Sequence, residues 1–238
     1  MLTILYRIYQ IIIVLPLFLV ASTLTALLTI FGSLLGGGRF WGYWPGHLWS
    51  RFTCVLLLLP VRVEGRENVE PGRSCVFVAN HQSYFDIFLL YGYLNIPFRW
   101  MMKRELRNVP LAGLACEKGG HVFIDRKSPG RMRRSIEQAR AVLHSGTSLI
   151  VFPEGTRTYT GAVGTFHKGA FLLADELGLP IVPITLNGPF QVLPRRPALR
   201  FIHRHSMTLT IHPAVTAGSI DEQMEQARSV IMGGLEGK

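Results

Sequence analysis

The chain has 238 residues, enough for one domain with a proper core or for a domain plus an anchor. Its 25 Lys and Arg against 15 Asp and Glu give a net charge of +10, while 48% of the residues are hydrophobic. A chain this basic and this apolar points to an anionic surface or ligand, a membrane before a nucleic acid, and no zinc-ligand spacing or RNA-binding signature argues for nucleic acid.

Residues 8–35 carry no charged side chain, and Arg7 stands just before them. As a straight helix they would run roughly 40 Å, against a hydrocarbon core of about 30 Å. This stretch is expected to be membrane-embedded, as one bent span or as a re-entrant hairpin, with Pro16 and Ser22-Thr23 as places to kink. The apolar run continues well past the region of Ala21, which argues against a removable leader. Gly36-Gly37-Gly38 ends it, and Arg39, Trp41, Tyr43, Trp44 and Trp49 have the composition of a membrane interface. Residues 54–59, stopped by Pro60, are too short to span and read as a half-buried interfacial helix. The expected division is therefore an anchor over residues 1–60 and a folded domain over 61–238.

That second part opens with Val61-Arg62-Val63-Glu64-Gly65, alternating like an edge strand. Residues 75–79 (CVFVA) form a short apolar run that reads as a central strand. It delivers Asn80-His81-Gln82-Ser83-Tyr84-Phe85-Asp86 to the start of a helix. On one continuous helix a five-residue offset turns about 140°, so His81 and Asp86 meet only if the backbone turns between them. With His81 on the loop and Asp86 in the first helical turn, the carboxylate can accept from one ring nitrogen and leave the other to take a proton.

Further strands are expected at 98–102, 122–124, 149–152, 181–184 and 207–211, with helices at 111–116, 130–146 and 219–235. The helix at 130–146 is amphipathic and carries Arg131, Arg133, Arg134 and Arg140; its basic face is solvated, or else a docking surface for an acidic carrier or lipid headgroups. Apolar strands alternating with helical stretches predict an α/β domain with a largely parallel or mixed central sheet flanked by helices. Three of the predicted strands end in chemistry: His81, Asp125-Arg126, and Pro153-Glu154-Gly155-Thr156-Arg157. Open α/β sheets bind ligands at strand C-termini. An arginine there can hold phosphate by two parallel charge-assisted bonds, and Gly155 lets the backbone approach a ligand closely. The three cysteines, Cys54, Cys75 and Cys116, are scattered among apolar residues and read as reduced core residues of a reducing compartment.

The stretches NHQSYFD, GHVFIDR, FPEGTR and IVPI, in that order, resemble the signature blocks of the glycerolipid acyltransferase family, of the 1-acyl-sn-glycerol-3-phosphate acyltransferase type. The likeness covers roughly residues 61–215, and Phe166-His167-Lys168-Gly169-Ala170-Phe171 resembles the block that follows FPEGTR. It implies transfer of a fatty acyl group from an acyl thioester to the sn-2 hydroxyl of lysophosphatidic acid, forming phosphatidic acid. Glycerol-3-phosphate or another lysolipid is the alternative acceptor, ahead of a lipid hydrolase or a non-catalytic lipid-binding module. By the same resemblance His81 is the general base and Asp86 its orienting partner. Arg126, Glu154, Gly155, Thr156 and Arg157 bind the acceptor, and Lys103 assists. No metal or cofactor is expected beyond the donor substrate, which is acyl-CoA or an acyl carrier protein. The expected partners are the phospholipid bilayer and the lysolipid, at the cytoplasmic side of an inner membrane.

Overall fold

A computed structural model describes residues 2–195 and 201–236. The N-terminal stretch is one long helical rod made of α1 (Leu2–Tyr9), a π-helical turn (Gln10–Val14) and α2 (Leu15–Gly32). The π-turn lies directly before Pro16. A proline ring cannot sit against the preceding turn of a regular helix, and the wider turn makes room for it without a break. The real bend comes at a second π-turn (Ser33–Gly37), where Gly36 adopts φ 98°. The chain folds back there into α3 (Gly38–Trp41), and the Trp41 ring lies flat on Gly32, where a Cβ would stand 2.2 Å from Trp41 Cδ2.

Next comes α4 (Trp44–Leu56), which begins ten residues earlier than the apolar stretch in the sequence suggests. One of its faces is bare: Leu48 is 64% and Val55 68% exposed. The other face is core. Tyr43, read from composition as an interfacial aromatic, is fully buried, stacked on Tyr91 and edge-on to Phe98. An aromatic carries a large apolar payload wherever it lands, so composition alone cannot separate an interface ring from a core ring.

The strands β1 (Val61–Glu64), β2 (Val76–Ala79), β3 (Phe98–Lys103), β4 (Val122–Ile124), β5 (Ser148–Val151), β6 (Ile181–Asn187) and β7 (Met207–Ile211) form one seven-stranded sheet in the order β1-β7-β6-β2-β5-β3-β4. Every pairing is parallel except β6 with β7. The sheet is thus the largely parallel, mixed one that the sequence pattern predicts, with β1 at one edge and β4 at the other.

Helices cover both faces. On one side α4 packs against α5 (Phe85–Tyr93), over a core that includes Phe77, Ala79, Leu89, Phe98 and Ile184. On that side α2 also packs against α6 (Ala112–Lys118). The opposite core includes Val76, Val78, Leu149, Phe171 and Ile231. It is covered by α7 (Pro129–His144) and α8 (Gly169–Glu176) and, after the short α9 (Pro189–Val192), by α10 (Ile220–Glu236). Consecutive residues of β2 therefore enter opposite cores, as the two-residue period of a strand demands. Being buried on both faces explains its unbroken apolar sequence.

A hydrogen-bonded chain ties the helical region to the sheet. The Trp100 N–H donates to His121 Nδ1 at 3.1 Å, so the remaining proton of the neutral ring sits on Nε2, 3.2 Å from Tyr91 Oη. Tyr91 in turn donates to the Gly42 carbonyl at 3.0 Å. Burial, helped by the nearby Arg99 charge, pushes the His121 imidazole down to about 3. All three cysteines are free, and burial raises the Cys75 thiol to about 12, which keeps it unreactive.

Candidate active site

The C-terminal ends of β2 and β5, two neighbouring parallel strands, build the site. Asn80 leaves β2 with its side-chain amide paired to the backbone of Leu186 on β6, donating at 2.9 Å and accepting at 2.8 Å. This extends the ladder by one side chain and fixes where the following loop starts. His81 comes next.

His81 Nδ1 lies 2.8 Å from Asp86 Oδ2. The five-residue separation closes because residues 81–84 turn before α5 begins, and the carboxylate itself holds that turn. Oδ2 also accepts the backbone N–H of Gln82 at 2.6 Å and of Ser83 at 2.8 Å. Asp86 is completely buried. An ionised carboxylate only accepts, so the proton shared with His81 sits on Nδ1 and the Nε2 lone pair is left free. One face of the imidazole is covered by Phe152, with ring centroids 3.8 Å apart and planes 10° from parallel. The ring can neither rotate away nor lose its tautomer without breaking several contacts at once.

Glu154 is also buried, and its role is set by position. Oε1 accepts the His81 N–H at 2.6 Å and Oε2 accepts the Gly164 N–H at 2.7 Å. Burial raises its carboxyl above the ordinary value, opposed by these two backbone N–H groups. Both oxygens are thus engaged in fixing the loops. The requirement for glycine at position 164 is steric: a Cβ there would stand 2.9 Å from Glu154 Oε2. Gly155 turns at φ 68° in the left-handed region.

The arginines divide between two flanks. Arg157 lies flat on Tyr84, 3.6 Å from the ring centroid, beside the His81 loop, to which the same segment is tied by the Thr158 N–H donating to the His81 carbonyl at 3.0 Å. Arg195 joins it from the far end of β6. It lies 4.0 Å over Tyr159, donates to Thr156 Oγ1 at 2.8 Å and also donates to the Arg157 carbonyl. No spacing in the sequence couples Arg195 to FPEGTR; only the return of the chain through β6 and α9 does. On the other flank, Arg126 follows the edge strand β4 and is exposed. Its neighbour Asp125 is engaged by Arg104 at 3.1 Å and Arg131 at 3.4 Å. Lys103 ends β3 and is exposed. Among the described residues no group of three or more His, Cys, Asp or Glu side chains could hold a metal ion.

A family model described as Acyltransferase matches residues 60–187, more than half of the chain. The chain belongs to the acyltransferase family. The matched span contains His81, Asp86, Arg126 and the segment 154–157 but stops short of Arg195. A 1-acyl-sn-glycerol-3-phosphate acyltransferase of Chlamydomonas reinhardtii is 30% identical over 223 residues, covering 93% of this chain and 65% of the relative. One from Pseudomonas aeruginosa is 36% identical over 144 residues, covering 58% of this chain and 55% of the relative. This acyltransferase chain spans between about half and two-thirds of the length of the curated relatives it matches. The crystal structure of the 1-acyl-sn-glycerophosphate acyltransferase PlsC from Thermotoga maritima superposes with a TM-score of 0.80 at 26% identity, covering 98% of this chain and 97% of that one.

Proposed function

We propose that this acyltransferase transfers a fatty acyl group from a thioester to the sn-2 hydroxyl of 1-acyl-glycerol-3-phosphate, giving phosphatidic acid. The observation that carries this reading is the His81–Asp86 contact at 2.8 Å, which leaves His81 Nε2 unprotonated at the mouth of the sheet. Nε2 takes the acceptor's hydroxyl proton as the oxygen attacks the thioester carbonyl. The tetrahedral intermediate then collapses, the C–S bond breaks, and the leaving thiolate receives the proton from the imidazolium. Asp86 stabilises that imidazolium and holds the tautomer. General base catalysis of this kind contributes on the order of a hundred to ten thousand-fold. The 1-acyl-sn-glycerol-3-phosphate specificity printed for the relatives agrees with two guanidiniums at the rim, Arg157 and Arg195, bonded to neutral partners and open to a phosphate monoester.

The same reading places the chain on one face of a membrane. Residues 3–41 form a helical stretch long and apolar enough to cross a bilayer, only 11% of its most apolar window buried. Yet the rod is tied to the rest of the chain at residues 6–10 and again at 26–30. Tyr6 donates to the Leu57 carbonyl, Tyr9 to that of Leu56, Gln10 pairs with Ile202, and Ala26 and Ile30 pack on Ala115. A rod fastened at both ends to a domain lying in water cannot also stand across the bilayer. Its bare face, with that of α4, is suited to lie in one leaflet beside the lysolipid. The reduced cysteines agree with the cytoplasmic side.

The test offers labelled acyl thioesters to the full-length protein in vesicles, with lysophosphatidic acid, glycerol-3-phosphate and a neutral-headgroup lysolipid as acceptors. Phosphatidic acid formed from lysophosphatidic acid in preference to the others is the expected result. Acylation of the neutral lysolipid at an equal rate would remove the phosphate specificity, and release of free fatty acid alone would make the protein a hydrolase.

A further inference from the structure

A cavity bounded by described residues lies away from His81, at the outer edge of β4. It holds about 550 Å³ between the turn Arg104–Asn108, the edge strand and α7. Its charge is one-sided: the guanidiniums of Arg104, Arg107, Arg131 and Arg134 face only the carboxylates of Asp125 and Glu117. Arg104 and Arg131 share Asp125, Arg107 pairs with Glu117, and Arg134 has no acidic partner among the described residues. Each of these arginines is exposed or partly exposed, so counter-charge from a ligand is reachable.

The floor of this cavity is a closed edge. Ser135 of α7 donates its hydroxyl to the Phe123 carbonyl at 2.9 Å and accepts the Asp125 N–H at 3.1 Å, taking up two backbone groups that an added strand would need. A peptide strand therefore has no ladder to join, and the cavity suits a compact polyanion. Its volume lies inside the range of sites for nucleotide-sized molecules.

Its place relative to His81 gives the ligand a shape. Along the sheet β4 is separated from β2 by β5 and β3, three strand spacings, or about 14 Å. A thioester carried on a pantetheine arm ends about 12 bonds from its diphosphate. At the reach of extended chain this is roughly four residues' worth, again about 14 Å. The arm would pass over the ends of β5 and β3, where Lys103 is exposed.

Resting on the acyl-transfer reading above, we infer that this arginine cleft binds the phosphorylated nucleotide head of coenzyme A, so that the donor enters from the β4 edge and the acceptor from the Arg157–Arg195 rim. The two substrates then approach His81 from opposite flanks, with their phosphates on separate arginine sets. Arg126, at the end of β4, falls on the donor side.

The test is calorimetric binding of free coenzyme A and of its 3′-dephospho form to the full-length protein in detergent, compared with Arg131→Ala/Arg134→Ala. These two side chains are exposed and on the surface of α7, and a melting curve checks that the variant is folded. Expected are a Kd for coenzyme A at least tenfold weaker in the double variant, weaker binding of the dephospho form to the wild type, and unchanged binding by His81→Ala. In turnover the double variant raises the donor KM and leaves the acceptor KM alone. Equal affinity of wild type and variant for coenzyme A would overturn the assignment. So would binding of an acidic acyl carrier protein, lost in the variant, by a wild type that does not bind coenzyme A. Because binding is read without turnover, a protein that binds coenzyme A in the cleft but acylates nothing defeats the proposed reaction and leaves the site standing.

Discussion

Two neighbouring parts of this molecule handle polar groups in opposite ways. In the turn 81–86 one buried carboxylate oxygen, Asp86 Oδ2, receives the His81 ring and two backbone N–H groups within six residues of chain. At the rim, Arg157 and Arg195 rest on tyrosine faces, and Arg195 donates to the Thr156 hydroxyl and the Arg157 carbonyl from a segment 38 residues away; among the described residues neither guanidinium pairs with a carboxylate. The turn is finished before substrate arrives, whereas the rim is completed by it. Chemistry that needs one fixed tautomer is built locally, and recognition of an anion is left to groups that have only neutral partners.

The sharpest way to break that contrast is at the carboxylate. Asp86→Ala should strand two buried N–H groups and free the His81 ring, at about 1–3 kcal/mol for each unsatisfied group. We expect kcat to fall by about a hundredfold or more together with a lower Tm, read by turnover and calorimetry. Glu154 acts on the same turn from the β5 side. Removing it leaves the His81 and Gly164 N–H groups without acceptors, so Glu154→Ala should also lower both kcat and Tm. Glu154→Gln should rescue little, because its amide keeps one acceptor oxygen and turns an NH₂ toward the other N–H. A full rescue would mean that the loops do not depend on the pair of bonds.

At the rim the expected effects are smaller and fall on binding. Arg195→Ala should raise the acceptor KM about tenfold for a phosphate-bearing lysolipid and leave a neutral one unchanged, given roughly 1.5–3 kcal/mol for a hydrogen bond to a charged group. An equal loss for both acceptors would make Arg195 a structural tie of the 156–159 loop. On the bare face of α4, Leu48→Ser with Val55→Ser should weaken vesicle binding by about a hundredfold or more without moving Tm, since each side chain offers on the order of 1.5–3 kcal/mol of burial.

The mildest test is pH. Neutral, buried His121 lies well below its unfolded value of about 6.5, so the unfolded chain binds the proton more readily. The stability this contributes is fully present above about pH 6.5 and is lost as pH falls toward about 3. Tm should therefore drop on acidification, and less steeply in His121→Gln, whose amide oxygen can still accept from Trp100.

How much of this was legible in the sequence follows the same line between local and distant. The strands at 76–79 and 148–151 stand out because burial on both faces leaves apolar runs, and His81 with Asp86 stands out because one turn contains the whole pair. The partners of Glu154 were not legible: the N–H it holds belongs to His81, 73 residues earlier, and backbone groups leave no mark in a sequence. Arg195 was missed for the same reason. Tyr43 was misread because its neighbours Trp41 and Trp44 share its composition but not its burial. The extent of α4 was hidden by Gly46 and the polar residues His47 and Ser50, which face α5: His47 meets the Tyr91 carbonyl and Ser50 packs beside Gly92.

The most direct measurement is one steady-state acyl-transfer assay on vesicle-bound protein with lysophosphatidic acid as acceptor, comparing wild type, His81→Ala and Arg157→Ala. The expected split is a kcat lowered by at least a hundredfold with little change in acceptor KM for His81→Ala. For Arg157→Ala it is an acceptor KM raised by about tenfold or more with most of kcat retained. Turnover by His81→Ala within about tenfold of wild type would contradict the assignment of His81 as the base.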